Sequence, residues 1–341
     1  MSISSCKEKS QSTNIFNDSY IKDTFHLSNG RVIQCDSLLI RYPTSLKFHP
    51  DSFLIIQDFN TEYLLKIIDL KSSKVKNKIP LGKGPGELLI SWNINITDGI
   101  LYDYCPQLKK FITLAPDNNR DFQILGEIHL QEKYASDFTP LTKDQFACLS
   151  MADSFRITLI NGKGESVHKM GGFPSIQSAT GIVGDNDIFQ SAIIGSTAGD
   201  KIALACRKTD FIEIYDLNKD SFIRIQGPLG LQYTVIDHGI AKSVTPRFST
   251  YTLMYANNQE FWASYNGFKH KNGEVPPILD QYPKHLYCFN WEGYPLRKIS
   301  LDYPFAGFDI DWDKKILYTI EIRNLEYYII EYQLDNLVLK E

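Results

Sequence analysis

The feature that most constrains this chain of 341 residues is a unit that recurs six times along it. One column of the repeat is an apolar run that ends in a polar residue, at positions 69, 113, 161, 216, 290 and 333. A second column is a short polar turn before a strand-like run, at positions 51, 98, 144, 200, 258 and 313. The turns lie 46 to 58 residues apart and alternate with the first column in constant order.

Each unit contains three to four short strands and no convincing helix. Repeats of about 40–50 residues built from four strands are typical of β-propellers. One four-stranded sheet cannot bury both of its faces, whereas six sheets stacked radially cover every face except the short outer edges. We therefore predict an all-β fold, a six-bladed β-propeller of four-stranded antiparallel blades. A two-sheet sandwich or two unrelated β domains are disfavoured, because neither explains six copies of one unit.

The repeats also predict where the blades begin and end. The predicted blades are 44–90, 91–133, 134–190, 191–248, 249–303 and 304–341. The last blade is short, and residues 20–40 alternate like strands, so we expect an N-terminal strand to close the ring; the alternative is that 337–340 form the missing strand. The predicted organisation is a lipoprotein-type N-terminus and polar tether at 1–18 and a single propeller domain at 19–341.

Cys6 stands apart from the other cysteines, because small residues precede it and a polar stretch follows it. This arrangement resembles the cleavage site of a bacterial lipoprotein, whose new N-terminal cysteine is lipidated. A signal peptide needs about 7–15 apolar residues, so we expect the precursor to carry such a leader. The alternative is a cytoplasmic protein with a polar tail. No apolar run of about 18 residues occurs, and membrane contact is expected only through the anchor at Cys6.

The segment Gly82–Glu87, with the pattern G-x-G-P-G-E, follows the predicted fourth strand of the first blade. It resembles the hallmark of TolB-like six-bladed β-propeller lipoproteins of Gram-negative gut bacteria, and the resemblance covers the whole chain. The resemblance implies an envelope-exposed binding or scaffolding module with no established reaction. Residues 7–9 read Lys-Glu-Lys, which breaks the acidic run that directs some such lipoproteins to the cell surface, so periplasmic and outer-surface locations both stay open.

The composition and motifs argue against several chemistries. With 36 basic and 40 acidic residues the net charge is −4, which excludes nucleic acid as an expected partner. Asp309, Asp311 and Asp313 match the first calcium-loop positions, but Lys314 and Ile320 replace the required Gly and Glu. No catalytic residue, metal or cofactor is predicted. The alternative to a binding protein is a metal-assisted hydrolase or lactonase with a central-channel site.

Three long insertions break the repeat, at 171–190, 227–248 and 266–284. Strands alternate in direction within a blade, so these insertions and Gly82–Glu87 should share one face. Insertions gathered on one face commonly mark the binding face; the alternative is that they cap the channel or pack against each other. The candidate ligand-binding residues are Phe173, Gln177, Tyr233, His238, Arg247, Phe268, Lys269, His270 and Tyr282.

The resulting expectation is a monomeric, non-catalytic envelope module. It would hold a carbohydrate, a peptide or an envelope protein on the face that carries the three insertions.

Overall fold

The structure is a computed structural model. It describes residues 13–16, 20–35, 39–59, 62–131, 135–150, 155–173, 189–227, 233–236, 240–243, 248–269, 277–335 and 337. Of these, residues 13–15, 233–236, 240–243, 248–249, 268–269 and 278 are described by their backbone alone.

Six antiparallel sheets of four consecutive or near-consecutive strands confirm the predicted propeller. Blade 1 contains β4 (Pro43–His49), β5 (Phe53–Asp58), β6 (Tyr63–Asp69) and β7 (Val75–Pro80), and blade 2 contains β8 (Asn93–Thr97), β9 (Ile100–Cys105), β10 (Lys110–Pro116) and β11 (Phe122–His129). Blade 3 contains β12 (Ala135–Thr142), β13 (Gln145–Ser150), β14 (Phe155–Asn161) and β15 (Ser166–Gly172), and blade 4 contains β16 (Ser191–Gly195), β17 (Lys201–Cys206), β18 (Phe211–Asp216) and β19 (Ser221–Gln226). Blade 5 contains β22 (Phe248–Ala256), β23 (Glu260–Lys269), β24 (His285–Asn290) and β25 (Pro295–Leu301), and blade 6 contains β26 (Phe305–Asp311), β27 (Ile316–Arg323) and β28 (Glu326–Gln333).

The first strands of the blades surround a central channel. Each first strand lies at one end of its sheet, and β4, β8, β12, β16, β22 and β26 contact one another in turn until β26 meets β4. Every first strand therefore begins on the face that receives the crossing from the preceding blade. We call this face the insertion face, because all three long insertions start or end on it, and the other the opposite face.

An N-terminal strap, formed by β1 (Thr13–Ile15), β2 (Asp23–Leu27) and β3 (Arg31–Val32), runs along the outside of blades 4 to 6. β3 pairs antiparallel with β28 and supplies the fourth strand of blade 6, as expected for ring closure. β1 and β2 pair parallel with the outer strands β19 and β25, which makes blades 4 and 5 five-stranded. Strand pairing thus begins inside the segment 1–18 that the sequence assigned to a polar tether, because Phe16 fills the gap between two blades.

The core is divided into six apolar clusters, one at each interface between neighbouring blades. Inner strands are covered on both faces, so β5 is buried along its whole length and reads as a continuous apolar run. Outer strands such as β11 are largely exposed. This division explains why the sequence shows apolar runs rather than simple alternation near each turn.

The insertions carry their own short elements. Residues 227–248 contain the two-stranded hairpin β20 (Tyr233–Ile236) and β21 (Ile240–Ser243), and a 3-10 helix (Ile278–Gln281) lies between β23 and β24.

Candidate functional site

A cavity of about 320 Å³ lies at the mouth of the channel on the insertion face. Its wall consists of the beginnings of the first strands, and the segment Gln281–Pro283 of the third insertion closes one side. We call it the mouth cavity. Its size falls within the range of small-ligand sites, about 300–1,000 Å³.

Polar side chains join the blades around the mouth cavity. Asn93 donates through Nδ2 to the Asp137 carboxylate and to the Phe138 carbonyl, the latter at 3.0 Å, and so connects blade 2 to blade 3. Gln57 connects blade 1 to blade 2, because its Nε2 donates to the Ser91 hydroxyl at 2.8 Å. Such cross-blade bonds hold the cavity wall in one arrangement before any ligand arrives.

One ion pair lies at the edge of this network. Arg207, directly after β17, places Nη2 at 3.2 Å from Asp137 Oδ2. Burial raises the pKa of Asp137 above its usual value, although Arg207 and Asn93 oppose that effect. The Arg207 side chain is one-third exposed, so the pair presents both a cation and an acceptor to the cavity.

Lys47, Asn95 and Tyr255 line both the mouth cavity and a cavity of about 550 Å³ at the opposite mouth, and so form a constriction between them. Lys47 Nζ donates to Asn95 Oδ1 at 3.1 Å and lies 3.9 Å from the centre of the Tyr255 ring. Burial lowers the pKa of Lys47 and raises that of Asp309, while each group's charge opposes the other's shift. The channel is therefore narrowed by a polar cluster rather than by apolar side chains.

The calcium-like acids lie at the opposite mouth. Asp309 accepts from the Phe48 and Ile310 amides, each at 2.7 Å, and Asp311 accepts from the Lys314 amide and Nζ, each at 3.0 Å. Asp313 follows in the turn between β26 and β27. Within the described ranges, no three His, Cys, Asp or Glu residues are grouped so that they could hold a metal ion.

Two aromatic residues border the mouth cavity. Trp92 precedes β8 and is 38% exposed, and Tyr282 follows the 3-10 helix and is half-buried. Burial and the neighbouring Tyr327 and Tyr42 hydroxyls raise the pKa of Tyr282, so its hydroxyl stays protonated. Exposed indole and phenol faces beside fixed amides are a common way to orient a polar ligand.

Two of the nine predicted site residues, Tyr282 and Phe173, have described side chains. Tyr282 lines the mouth cavity, whereas Phe173 packs near Phe189, with ring centres 6.0 Å apart, and near the Arg156 guanidinium. Tyr233 lies in β20 and Phe268 and Lys269 end β23, with only their backbones described. Gln177, His238, Arg247 and His270, like the proposed lipidation site Cys6, lie outside the described residues.

Sequence reasoning missed most of the cavity wall, including Asn93, Asp137 and Arg207. A signal for part of it was present in the repeat. Counting back five to eight residues from each polar turn leads to Ser45, Asn93, Asp137, Ala192, Thr252 and Ala306, all of which line the cavity. These positions lie in the first strands of the six blades, and the sequence alone did not indicate that they face a channel.

The segment Gly82–Glu87 forms the crossing from blade 1 to blade 2. Only Gly86 has a left-handed backbone, with φ of 73°, and its amide donates to Glu127 Oε1 at 2.6 Å. Gly84 donates to Glu87 Oε2 at 2.8 Å, and a Cβ at Gly82 would lie 2.0 Å from that same oxygen. Glycine is therefore required for two different reasons in this segment: Gly86 adopts a positive φ, and Gly82 leaves room for the Glu87 carboxylate.

Comparison with protein families identifies the class to which this chain belongs. A family described as TolB-like 6-blade propeller-like matches residues 23–313, and the chain is a member of it. Among curated proteins, none matches the chain significantly. In the part of the chain that the structure describes, no helix has the length and apolar content needed to cross a membrane.

Similar solved structures show the same fold at low identity. A Bacteroides fragilis protein described as a predicted exported protein is 12% identical, with a TM-score of 0.56, over 93% of this chain and 98% of that one. The WD40 repeats of RRP9 are 12% identical, with a TM-score of 0.51, over 88% of this chain and 96% of that one. U3-55K is 11% identical, with a TM-score of 0.50, over 88% and 97%.

Proposed function

We propose that this protein is a non-catalytic binding module of the cell envelope that holds a carbohydrate in the mouth cavity. The observation that carries the proposal is that the mouth cavity lies on the face from which the three long insertions leave the blades, and that Gln281–Pro283 of the third insertion line it. The cavity wall contains side-chain amides that are held in place by hydrogen bonds, and a partly exposed indole borders it. Such a site suits a sugar, because sugar hydroxyls donate and accept hydrogen bonds while the C–H face of the sugar packs on an aromatic ring.

The mouth cavity favours a sugar over a large protein partner. About 320 Å³ accommodates a ligand of one or two rings, and the Asn93 and Asn95 amides of the wall are held in place by hydrogen bonds to the Phe138 carbonyl, each at 3.0 Å. A protein or peptide partner would instead rest mainly on the insertions. If the partner is a protein or a peptide, substitutions in the insertions should weaken binding more than substitutions in the cavity wall.

The envelope location is supported by two observations. The chain belongs to a family described as TolB-like, and a similar Bacteroides fragilis structure is described as a predicted exported protein. We propose lipid attachment at Cys6 in the mature protein. In cells expressing the native precursor, Cys6→Ser should move the protein from the membrane fraction to the soluble fraction; unchanged partitioning would contradict the anchor.

The binding proposal is tested by a thermal-shift screen of the purified chain against glycans, peptides and divalent metals. A ligand that prefers the folded state raises the melting midpoint by mass action. A glycan hit supports the proposal. A peptide hit with no glycan hit transfers the function to a peptide partner, and turnover of a hydrolysable substrate with an added metal would favour the hydrolase or lactonase alternative.

Variants then locate the site. Trp92→Ala should weaken glycan binding about tenfold, or 1.4 kcal/mol, because it removes an exposed aromatic contact. Tyr294→Ala is the control, since Tyr294 is 64% exposed in a turn on the opposite face. Alanine at Tyr233, Arg247 and Phe268 tests the insertions. If these three changes abolish binding while Trp92→Ala spares it, the ligand rests on the insertions and not in the cavity.

A further inference from the structure

A second cavity, of about 270 Å³, lies on the outside of the ring where the outer strands of blades 1 and 2 approach each other. We call it the basic cavity. Its wall contains Lys74, Lys76 and Lys78 from blade 1 and Arg120 from blade 2, together with Asp69 and Asp121. Its apolar floor is formed by buried residues, of which Phe53 and Phe122 are the largest.

The three lysines alternate along β7 and the turn before it, so they lie on one side of the strand. Lysines on an edge strand usually point to solvent and prevent strand pairing. Here Lys76 and Lys78 turn towards blade 2, with Nζ at 3.3 and 2.9 Å from Asp121 Oδ1. The Lys78 side chain is only 24% exposed.

Each carboxylate of the basic cavity already forms ion pairs with cations of the cavity wall. Arg120 places Nε at 2.9 Å and Nη2 at 2.6 Å from the two oxygens of Asp69 and holds the pKa of that carboxyl well below its usual range. Burial acts to raise the pKa of Asp121, but Lys78 and Lys76 outweigh it, so that pKa also lies below its usual value. Both acids are therefore ionised at neutral pH.

Four cations face two carboxylates, which leaves two positive charges in excess in a chain whose net charge is −4. Among the described residues no ion pair is formed by Lys74, whose side chain is exposed at the rim of the cavity. Three ammonium groups on flexible stems can converge on one small anion, and the apolar floor strengthens their attraction to it by excluding water.

We propose that the basic cavity binds a phosphate or sulfate group, either as a free oxyanion or as part of a lipid headgroup. A doubly charged oxyanion would neutralise the two excess charges and accept hydrogen bonds from the lysines.

The path of the N-terminal strap gives a reason to test a headgroup. Because β1 runs parallel to β19, its first residue, Thr13, lies towards the opposite face, where the β6–β7 and β10–β11 turns that border the basic cavity also lie. If Cys6 carries a lipid, as proposed above, seven residues of extended chain span at most about 25 Å. A membrane would then lie towards the face whose turns border this cavity.

The first test is a calorimetric titration of the Cys6→Ser chain with inorganic phosphate, so that a lipid anchor cannot contribute. Lys74→Gln should weaken binding about threefold to tenfold, and Asp121→Asn should strengthen it by a similar factor, because it leaves Lys76 and Lys78 without their carboxylate. Lys163→Gln is the matched control, since Lys163 is an exposed lysine in the corresponding turn of blade 3. Thermal melts verify that each variant folds.

The second test uses sedimentation with phosphatidylcholine vesicles with and without phosphatidic acid. Vesicle binding that depends on phosphatidic acid and on Lys74 assigns the site to headgroups, and phosphate binding alone assigns it to a free oxyanion. The proposal is overturned if neither ligand binds, if chloride competes as well as phosphate, if Asp121→Asn fails to tighten binding in a folded protein, or if Lys163→Gln weakens binding as much as Lys74→Gln. Glycan binding in the mouth cavity is unaffected by any of these outcomes.

Discussion

The outer rim of blades 4 to 6 and that of blades 1 to 3 are held in different ways. In blades 4 to 6, which we call the strapped half, β1, β2 and β3 each add a strand to an outer edge. In blades 1 to 3, the unstrapped half, no further strand among the described residues pairs with the outer strands β7, β11 and β15. There, ion pairs such as Arg120–Asp69 and the bond from the Gly86 amide to Glu127 connect blade 1 to blade 2.

This difference follows from the geometry of a ring of radial sheets. Neighbouring blades diverge towards the rim, so apolar contacts are fewest where the outer strands lie. An added strand brings backbone hydrogen bonds and buried side chains such as Phe16, whose stabilisation depends little on salt. Ion pairs at a half-exposed edge contribute less and respond to salt and pH. We expect the unstrapped half to be the more sensitive to solution conditions.

The largest effect is expected from removing the buried ring of the strap. Phe16 is 2% exposed, and its ring centre lies 5.2 Å from that of Tyr287 and 5.4 Å from that of Phe289. Phe16→Ala should lower the free energy of unfolding by about 3–5 kcal/mol in urea titrations. Tyr20→Ala, at a nearby residue that is 63% exposed, is the control. A loss below about 1 kcal/mol for Phe16→Ala would mean that the strap contributes little.

A smaller effect is expected at the crossing of the unstrapped half. Gly86 has φ of 73°, and a Cβ there would lie 2.8 Å from Ile124 Cδ1, so Gly86→Ala should cost about 1–2 kcal/mol of unfolding free energy. Gly172→Ala serves as the control, because a Cβ at Gly172 meets no atom within 4 Å. Equal losses of unfolding free energy in the two variants would show that the backbone conformation and close contact at Gly86 contribute nothing particular to stability.

The next effect is acid sensitivity at the interface of blades 1 and 2. His49 accepts from the Asp51 amide at Nδ1 (3.1 Å) and donates through Nε2 to the Gly99 carbonyl (2.9 Å), which requires a neutral ring. Burial lowers the pKa of His49, so below about pH 6.5 the unfolded chain binds a proton that the folded chain resists. Stability should therefore fall as the pH decreases through that value.

Unfolding free energies measured between about pH 7.5 and pH 5.5 test this effect. His49→Gln should flatten the acid-induced fall, and His168→Gln, at a half-exposed histidine of blade 3, should leave it intact. Hydrogen exchange at acid pH should increase in β5 before it increases in β24. If hydrogen exchange increases in β5 and β24 at the same pH, the unstrapped half is not the more acid-sensitive one.

The smallest effect is expected from a single rim ion pair. Asp69→Asn removes the partner of Arg120, whose side chain is 32% exposed, and should cost less than about 1 kcal/mol. The loss should shrink further in high salt. Asp216→Asn is the control, because Asp216 pairs with Lys219 within one turn and joins no blades. A salt-independent loss for Asp69→Asn would show that packing, rather than charge, holds this rim.

The sequence by itself determined the number of blades and their order, and it favoured ring closure by an N-terminal strand, which the pairing of β3 with β28 then established. Each blade repeats its own turn, such as Asp51-Ser52 or Asp98-Gly99, within about 50 residues of the next. Local signals of this kind can be read without knowing what the strands contact. The three insertions were also visible, because a longer loop changes a spacing, and their common face follows from strand alternation.

Only the tertiary structure decided which side chains share a site. Asn93, Asp137 and Arg207 come from three blades, and 44 and 70 residues separate Asp137 from its two partners. Likewise, no local pattern shows that β1 pairs parallel with β19 or that Phe16 lies between blades 4 and 5. A repeat records what each unit does within itself, whereas contacts across the channel and around the rim exist only once the ring has closed and set the distances between units.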